Sequence, residues 1–358
     1  MKYYDVVIIG AGASGLMCAS KLCGRVLVID SNKSAGAKIL VSGGGKCNFS
    51  NLKISAKNYV STTPERIDEL LQFWSCKDSI NLISKYKIKY EERDGGKLFA
   101  EDARKVLDAL LSECRKNKVE FLFGVNIQSV EKKDELFCID IGKKVLSKKL
   151  VIATGGKSYS RLGASDFGLR LAKQFKLKLV QNQPALVGLK YPMELRFLSN
   201  LSGVSLPVKI GVKNKVVEGN LLFAHYGITG PAVLNSSLYV DVGDVLNINF
   251  VPHKTLKTVP ARALKTFMDY YEISQKDRVF DKLKNFSYKY ITSFGYEKAE
   301  VMRGGVSLLN LNQNLEAKKV SGLYFIGEVL DITGEVGGFN LHIAFATANC
   351  VARAINNP

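Results

Sequence analysis

Long apolar runs are missing from this sequence. The longest uncharged stretch near the N-terminus, Val6 to Ser20, is interrupted by Gly10, Gly12 and Gly15 and is too short and too glycine-rich to span a bilayer. Asp5 stands where a secretory leader would be basic or apolar, so no export signal is read and the expected location is the cytoplasm. Paired cysteines are also missing. The seven cysteines, at 18, 23, 47, 76, 114, 138 and 350, form no CxxC, which argues against a disulfide framework and a structural zinc site and for reduced thiols. Histidine is scarce: His225, His253 and His342 lie far apart, without the spacing of metal ligands, so no metal is expected. There is no repeat of the solenoid or propeller kind and no RRM or KH signature.

Acidic residues are in the minority. The chain has 51 Lys and Arg against 33 Asp and Glu, a net charge of +18. Such a field attracts nucleic acid, anionic membranes or acidic cofactors. The lysines are spread along the chain with short clusters at Lys132-Lys133, Lys143-Lys144 and Lys148-Lys149. A polyanion-binding surface and a merely lysine-rich composition both remain open on this evidence. A length of 358 residues exceeds most single cores and points to two domains.

The first thirty residues carry the clearest pattern. Tyr4 to Ile9 is an apolar run broken by Asp5, as expected of a strand buried in a parallel sheet. Gly10, Gly12 and Gly15 follow as GxGxxG, then an apolar helix from about Ser14 to Leu22, then a second strand from Arg25 to Ile29 ending in Asp30. Asp30 lies twenty residues after Gly10, the position of the acid in the dinucleotide-binding fingerprint. In that reading Gly10 makes the turn, Gly12 lets backbone approach a pyrophosphate, Gly15 lets helix and strand pack, and the helix N-terminus faces the phosphates. Asp30 accepts from an adenosine ribose and disfavours a 2′-phosphate.

The rest of the chain chooses among dinucleotides. A plain nicotinamide domain would continue in βαβ units, but a long loop, Ser31 to Asn51, follows here and carries "SGGGKCN". Backbone from such a loop reaches beyond the ADP half of a ligand, which suits FAD. Residues 101–130 read as an amphipathic helix and a third strand, and 127–150 as a β-meander. Residues 150–156, "LVIATGG", read as a buried strand opening into a glycine turn. Near the C-terminus a strand to Ile326 leads to Gly327-Glu328, then Gly337-Gly338 and an apolar helix. Glu328 is placed to accept from a hydroxyl chain, and the final helix would aim its N-terminus at an electron-rich ring edge. Cys47 reads either as a thiol near the flavin or as a packing residue. The second cysteine of a CxxxxC redox pair is absent, since Leu52 stands there. His225 reads as an acid or base, or as a hydrogen-bonding residue at a domain turn. No second GxGxxG occurs in 157–306, so NAD(P)H would dock only transiently.

The segments "GAGASGLMCA", "KILVSGGGKCNFSN", "ATGGKSYSRLGASDFGLRLA", "PALVGL", "LLFAHYGITGPAVLNSS", "GGVSL" and "KKVSGLYFIGEVLDITGEVGGFNLHIAFATAN" run in order over nearly the whole chain. Together they resemble the BaiN-type family of NAD(P)/FAD-dependent oxidoreductases, some of which carry the label aminoacetone-oxidase-like flavoproteins. The resemblance implies an α/β fold. A Rossmann-like two-dinucleotide-binding FAD domain of the glutathione-reductase type would occupy 1–187 and 307–358. A β-rich domain would be inserted at 188–306, with a small helical part at about 254–290. It implies ADP contacts at Gly10, Gly12, Ala13, Ser14, Gly15, Asp30 and Ser31, with the backbone of Ile127 meeting adenine. Lys38, Ser42, Gly43, Gly44, Lys46, Cys47 and Asn48 would lie along the pyrophosphate-to-flavin stretch, and Thr154, Gly155 and Gly156 would support the cofactor. Gly327, Glu328, Gly337, Gly338, Phe339 and Asn340 would hold the ribityl chain and ring. Two departures stand out: Lys46 replaces a commoner Arg, and the helical part is short. The implied function is an FAD-dependent oxidoreductase reduced by NAD(P)H and acting on a small molecule. A flavoprotein that acts on nucleic acid such as tRNA is the alternative, and a flavin-binding protein without efficient turnover the third.

Overall fold

The computed structural model describes residues 2–357. Its main sheet is built on β1 (Lys2–Ile9), whose last four residues are all buried. Strand β1 pairs in parallel with β2 (Val26–Asp30) on one side and β6 (Lys144–Ile152) on the other. Strand β3 (Glu120–Phe123) extends the sheet beyond β2, also in parallel. On the far side the meander β4 (Ser129–Lys133) and β5 (Leu136–Asp140) joins antiparallel to the first half of β6. The second half of β6 pairs in parallel with β7 (Leu323–Phe325). The order is thus β3-β2-β1-β6-β5-β4, with β7 branching from β6. Both runs of the chain build one sheet, as the Rossmann-like α/β class expected from the sequence requires.

Helices cover the sheet. Ala13–Ala19 (α1) follows the glycine turn and stops a turn earlier than the sequence suggests. Ala103–Lys116 (α2) buries Val106, Leu107 and Leu110 along one stripe and starts on an Asp102 cap that accepts from the Arg104 N–H, a capping contact worth about 1 kcal/mol. Phe339–Asn356 (α3) is buried on most sides, including Ile343, Phe345, Thr347, Cys350 and Val351, which explains its apolar composition.

Ser31 to Asn51 is not one open loop. It contains a short helix, Ala37–Val41, a turn at Ser42–Gly45 and a strand, Asn48–Asn51, which pairs with Lys97–Ala100. Gly43, Gly44 and Gly45 have φ of 57°, 67° and 86°. Three successive left-handed residues are tolerated only where Cβ is absent, so the triple glycine makes a turn of a hand that other residues resist.

The chain divides into two compact units, Met1–Gln183 with Met302–Pro358, and Pro184–Val301. These divisions fall a few residues before 187/188 and 306/307, within the paired strands Leu179–Ala185 and Val301–Val306, because strand pairing carries the first unit's contacts out to that point. The second unit is a six-stranded antiparallel sheet. Strand Ser205–Val212 alternates, with Leu206, Val208, Ile210 and Val212 inward. Helices Ala261–Tyr270 and Lys276–Lys284 add Phe267, Val279 and Leu283 to its core. Phe267 packs against Phe250 and Phe286 at ring distances of 5.2 and 5.6 Å. Burying each such ring stabilises the unit by roughly 1.5–3 kcal/mol.

Among the described residues no helix is long and apolar enough to cross a membrane, and no cluster of His, Cys, Asp or Glu could hold a metal.

Candidate functional site

Register brings the predicted residues to one edge. Ile9 is level with Ile29 and Ile152, and Ile152 with Phe325. The turns that follow these strands therefore open together at the carboxyl end of the sheet, the usual ligand position in open α/β folds. Gly10 to Gly15, Asp30-Ser31, Thr154 to Gly156 and Gly327-Glu328 all occupy these turns. Ile127 joins them: Gly124 and Val125 donate to the carbonyls of Asn32 and Asp30 at 2.8 and 3.2 Å, which brings the loop after β3 beside the end of β2.

The glycine turn separates packing from vacancy. A Cβ on Gly15 would overlap the Gly10 carbonyl, whereas one on Gly12 would meet no atom within 4 Å. Protein packing therefore accounts for Gly15 but leaves Gly12 facing open space, beside first-turn N–H groups that have no intrahelical acceptor. The Asp30 carboxylate accepts from the Ala11 N–H at 2.6 Å and the Asn32 N–H at 2.8 Å, bracing the turn. Thr154 Oγ1 is buried with no partner, as is normal only where something else satisfies it.

At the other end of the site the chain's own contacts use side chains expected to meet a ligand. Lys38 Nζ donates to Glu328 Oε2 at 2.6 Å and to Ser158 Oγ at 2.8 Å. Glu328 Oε1 accepts from Ser158 Oγ at 2.8 Å and from the Met302 N–H at 3.0 Å. Glu328 thus has three donors on about four acceptor positions. Asn48 accepts from the Gly338 N–H at 3.0 Å and donates to the Ser50 and Leu98 carbonyls. Asn340 accepts from the Gly334 N–H and donates to the Gly334 carbonyl, both at 2.8 Å. Lys46 turns to Glu91 at 3.7 Å on the surface, and Ser42 Oγ returns to the Ile39 carbonyl. Phe339 is buried edge-on against Tyr59. What remains to meet a ligand here is backbone: Gly44 and Gly45 have no other atom closer than 4.0 Å to a would-be Cβ.

The candidate reactive groups separate clearly. Cys47 is fully buried, and burial pushes its thiol up to about 12, so thiolate, the reactive form, is scarce at neutral pH. Iodoacetamide at pH 8 is expected to label exposed Cys23 and leave Cys47 unmodified in the folded protein, as peptide mass mapping would read; rapid labelling of Cys47 would contradict its burial. His225 is exposed at the tip between strands Lys215–Ala224 and Gly227–Thr229, with the Tyr226 ring 6.4 Å from its own. His342 is buried. Its Nδ1 meets Ser50 Oγ at 2.9 Å and its Nε2 the Trp74 carbonyl at 3.0 Å. A carbonyl can only accept, so Nε2 carries the proton and Nδ1 accepts. Sequence reasoning missed Ser158 and Asn51, which bonds the Gly337 carbonyl at 3.0 Å. Neither has a local signal, because each partner lies more than a hundred residues away.

Comparison with known proteins follows this geometry. The family model described as HI0933-like protein Rossmann domain matches residues 4–354. A ribosomal RNA dihydrouridine synthase of Escherichia coli (strain K12) is 38% identical, with 97% of each chain covered. A 3-dehydro-bile acid delta(4,6)-reductase of Clostridium scindens is 26% identical, covering 97% of this chain and 98% of its own. Among solved structures, the 3-ketosteroid delta1-dehydrogenase of Sterolibacterium denitrificans superposes with a TM-score of 0.57 at 12% identity, over 99% of this chain and 100% of that one, which is a likeness of fold. The motif resemblance to BaiN-type proteins holds at the level of the wider family. With nearly its whole length matched, the chain belongs to the HI0933-like Rossmann family.

Proposed function

We propose that this protein is an FAD-dependent reductase whose substrate is a uridine of ribosomal RNA, reduced across its C5–C6 double bond. The observation that carries the reading is the 38% identity, over 97% of both chains, to a relative named as a ribosomal RNA dihydrouridine synthase. The net charge of +18 supports a polyanionic substrate. This reverses the order expected from the sequence, where a small molecule came first and nucleic acid second.

The residues fit FAD best at its ADP end. The space over Gly12 and the N–H groups of the first turn of α1 suit a pyrophosphate. Asp30, Ser31 and the backbone at Ile127 would take the adenosine, and Thr154, with its unpartnered hydroxyl, and Gly155-Gly156 would support the middle. At the ring end the Gly43–Gly45 and Gly337–Gly338 backbones would form the contacts, braced by Asn48, Asn340 and the Lys38–Glu328 pair. When bound, FAD supplies the hydride chemistry, and the protein supplies placement and charge. The reduction adds a hydride and a proton to the uracil ring. NAD(P)H is the proposed source of the electrons, docking transiently.

Two measurements test the reading. The purified protein should be yellow or take up added FAD, and NADH or NADPH should bleach it anaerobically. Expressed in a strain lacking its dihydrouridine-forming relative, it should restore ribosomal RNA nucleosides heavier by two hydrogens, as mass spectrometry reads. Unchanged ribosomal RNA together with NAD(P)H-dependent reduction of a steroid enone would sink the RNA reading in favour of a small-molecule reductase.

A further inference from the structure

The fold gathers every Lys-Lys dipeptide of this chain. There are four: 132-133, 143-144, 148-149 and 318-319. The first three fall on β4, at the start of β6 and in the middle of β6. The fourth lies in the turn before β7, and that turn packs beside the third. The Gly322 carbonyl accepts from the Leu150 N–H at 2.8 Å, and Lys132 Nζ reaches back to the Ser321 carbonyl at 2.7 Å. Neighbouring strands are about 4.8 Å apart and each residue rises about 3.3 Å, so the four pairs fall within roughly 20 Å, between the start of β6 and its middle.

Their charges are largely uncompensated. Lys143, Lys144, Lys148, Lys318 and Lys319 are exposed and have no carboxylate partner among the described residues; Lys133 is paired, with Glu131 at 3.0 Å. Lys148 and Lys149 instead lie over the rings of Tyr3 and Tyr324, each at 6.0 Å, which holds two ammonium groups in place without neutralising them.

We propose that these lysine pairs form a docking surface for the phosphate backbone of folded RNA, a proposal that rests on the RNA reading above. The surface starts at the end of the sheet opposite the candidate site and runs to the middle of β6. Lys144 and Ile152 bound the same strand, which puts them about 25 Å apart. A structured RNA spans that distance and can present a uridine at the carboxyl edge while its backbone is held at the other end. A mononucleotide cannot.

The test is the salt dependence of binding of protein-free ribosomal RNA by the FAD-loaded full chain. Variant one carries Lys143→Gln, Lys144→Gln, Lys318→Gln and Lys319→Gln. Variant two removes the same charge from the second unit, at the exposed Lys254, Lys257, Lys276 and Lys284, each to Gln. FAD content and thermal midpoint verify the folding of both. Variant one should bind at least about tenfold more weakly at low salt, with the slope of log affinity against log salt reduced by about 3, since each lost phosphate contact removes roughly 0.7–0.9. Variant two should stay within about twofold of the parent. Equal losses in both would reduce the effect to net charge and overturn the docking surface. Unchanged slopes in variant one, with ribosomal RNA still reduced by the parent, would overturn the surface and leave the function standing. A parent that binds phosphatidylserine vesicles through these lysines but neither binds nor reduces RNA would overturn both.

Discussion

Gly12→Ala should fold as well as the parent and lose FAD. The backbone at Gly12 is extended, with φ of −83°, a conformation open to alanine. The added methyl meets no protein atom within 4 Å. Removing a glycine from the unfolded ensemble then adds up to about 1 kcal/mol of stability to the cofactor-free chain. The same methyl occupies the space over which a pyrophosphate would pass, so the dissociation constant for FAD should rise at least about 100-fold, or roughly 2.7 kcal/mol. Gly15→Ala provides the contrast: its methyl overlaps the Gly10 carbonyl, a backbone clash that should cost about 3 kcal/mol or more and lower the thermal midpoint of the cofactor-free chain. Thermal unfolding without FAD, followed by fluorescence titration with FAD, reads both effects. Tight FAD binding by Gly12→Ala would show that no diphosphate rests on this turn.

The second large effect is acid destabilisation through His342. Burial holds its imidazole down to about 4, from an ordinary 6.5, because the charged form cannot be solvated where it sits. Both ring nitrogens are already engaged by Ser50 and the Trp74 carbonyl, and a proton on the accepting Nδ1 would force the Ser50 hydroxyl to turn from donor to acceptor. The folded value lies below the unfolded one. The neutral ring therefore contributes stability that is complete above about 6.5 and is lost as pH falls toward 4. Between pH 7 and 4.5 the parent should lose about 2–3 kcal/mol by this route. Asp331 works in the opposite sense. Burial raises its carboxyl despite the Thr62 bonds, so its cost at neutral pH is relieved as it gains its proton at lower pH. The difference between the parent and His342→Gln isolates the histidine. The variant should be less stable at pH 7 but should lose about 2 kcal/mol less on acidification, as urea midpoints at pH 7, 5.5 and 4.5 would show. Parallel losses in the two proteins would remove His342 as the cause.

The fold was legible wherever the governing physics is local. Tyr4 to Ile9 reads as a buried strand because the run from Val6 to Ile9 is apolar on both faces. Gly10, Gly12 and Gly15 place a turn and a helix by steric rules that act within six residues. The triple glycine at 43–45 announces a backbone that other residues avoid.

The allocation of side chains was not legible. Lys38 and Glu328 both read as ligand contacts, yet they bond each other across 290 residues. Asn48 is expected along the pyrophosphate-to-flavin stretch and Asn340 at the ribityl chain and ring, and within the chain both tie loops together. A side chain's residue type states what it can bond, but register and packing decide what stands within 3 Å of it. The sequence by itself therefore determined the first strand–turn–helix–strand unit, the parallel sheet and the turn suited to a dinucleotide. Only tertiary structure decided that Cys47 is inert by burial, that the glycine over open space is Gly12 rather than Gly15, and that four scattered lysine pairs meet on one sheet. These outcomes depend on contacts between distant segments, which leave no periodic trace in the chain.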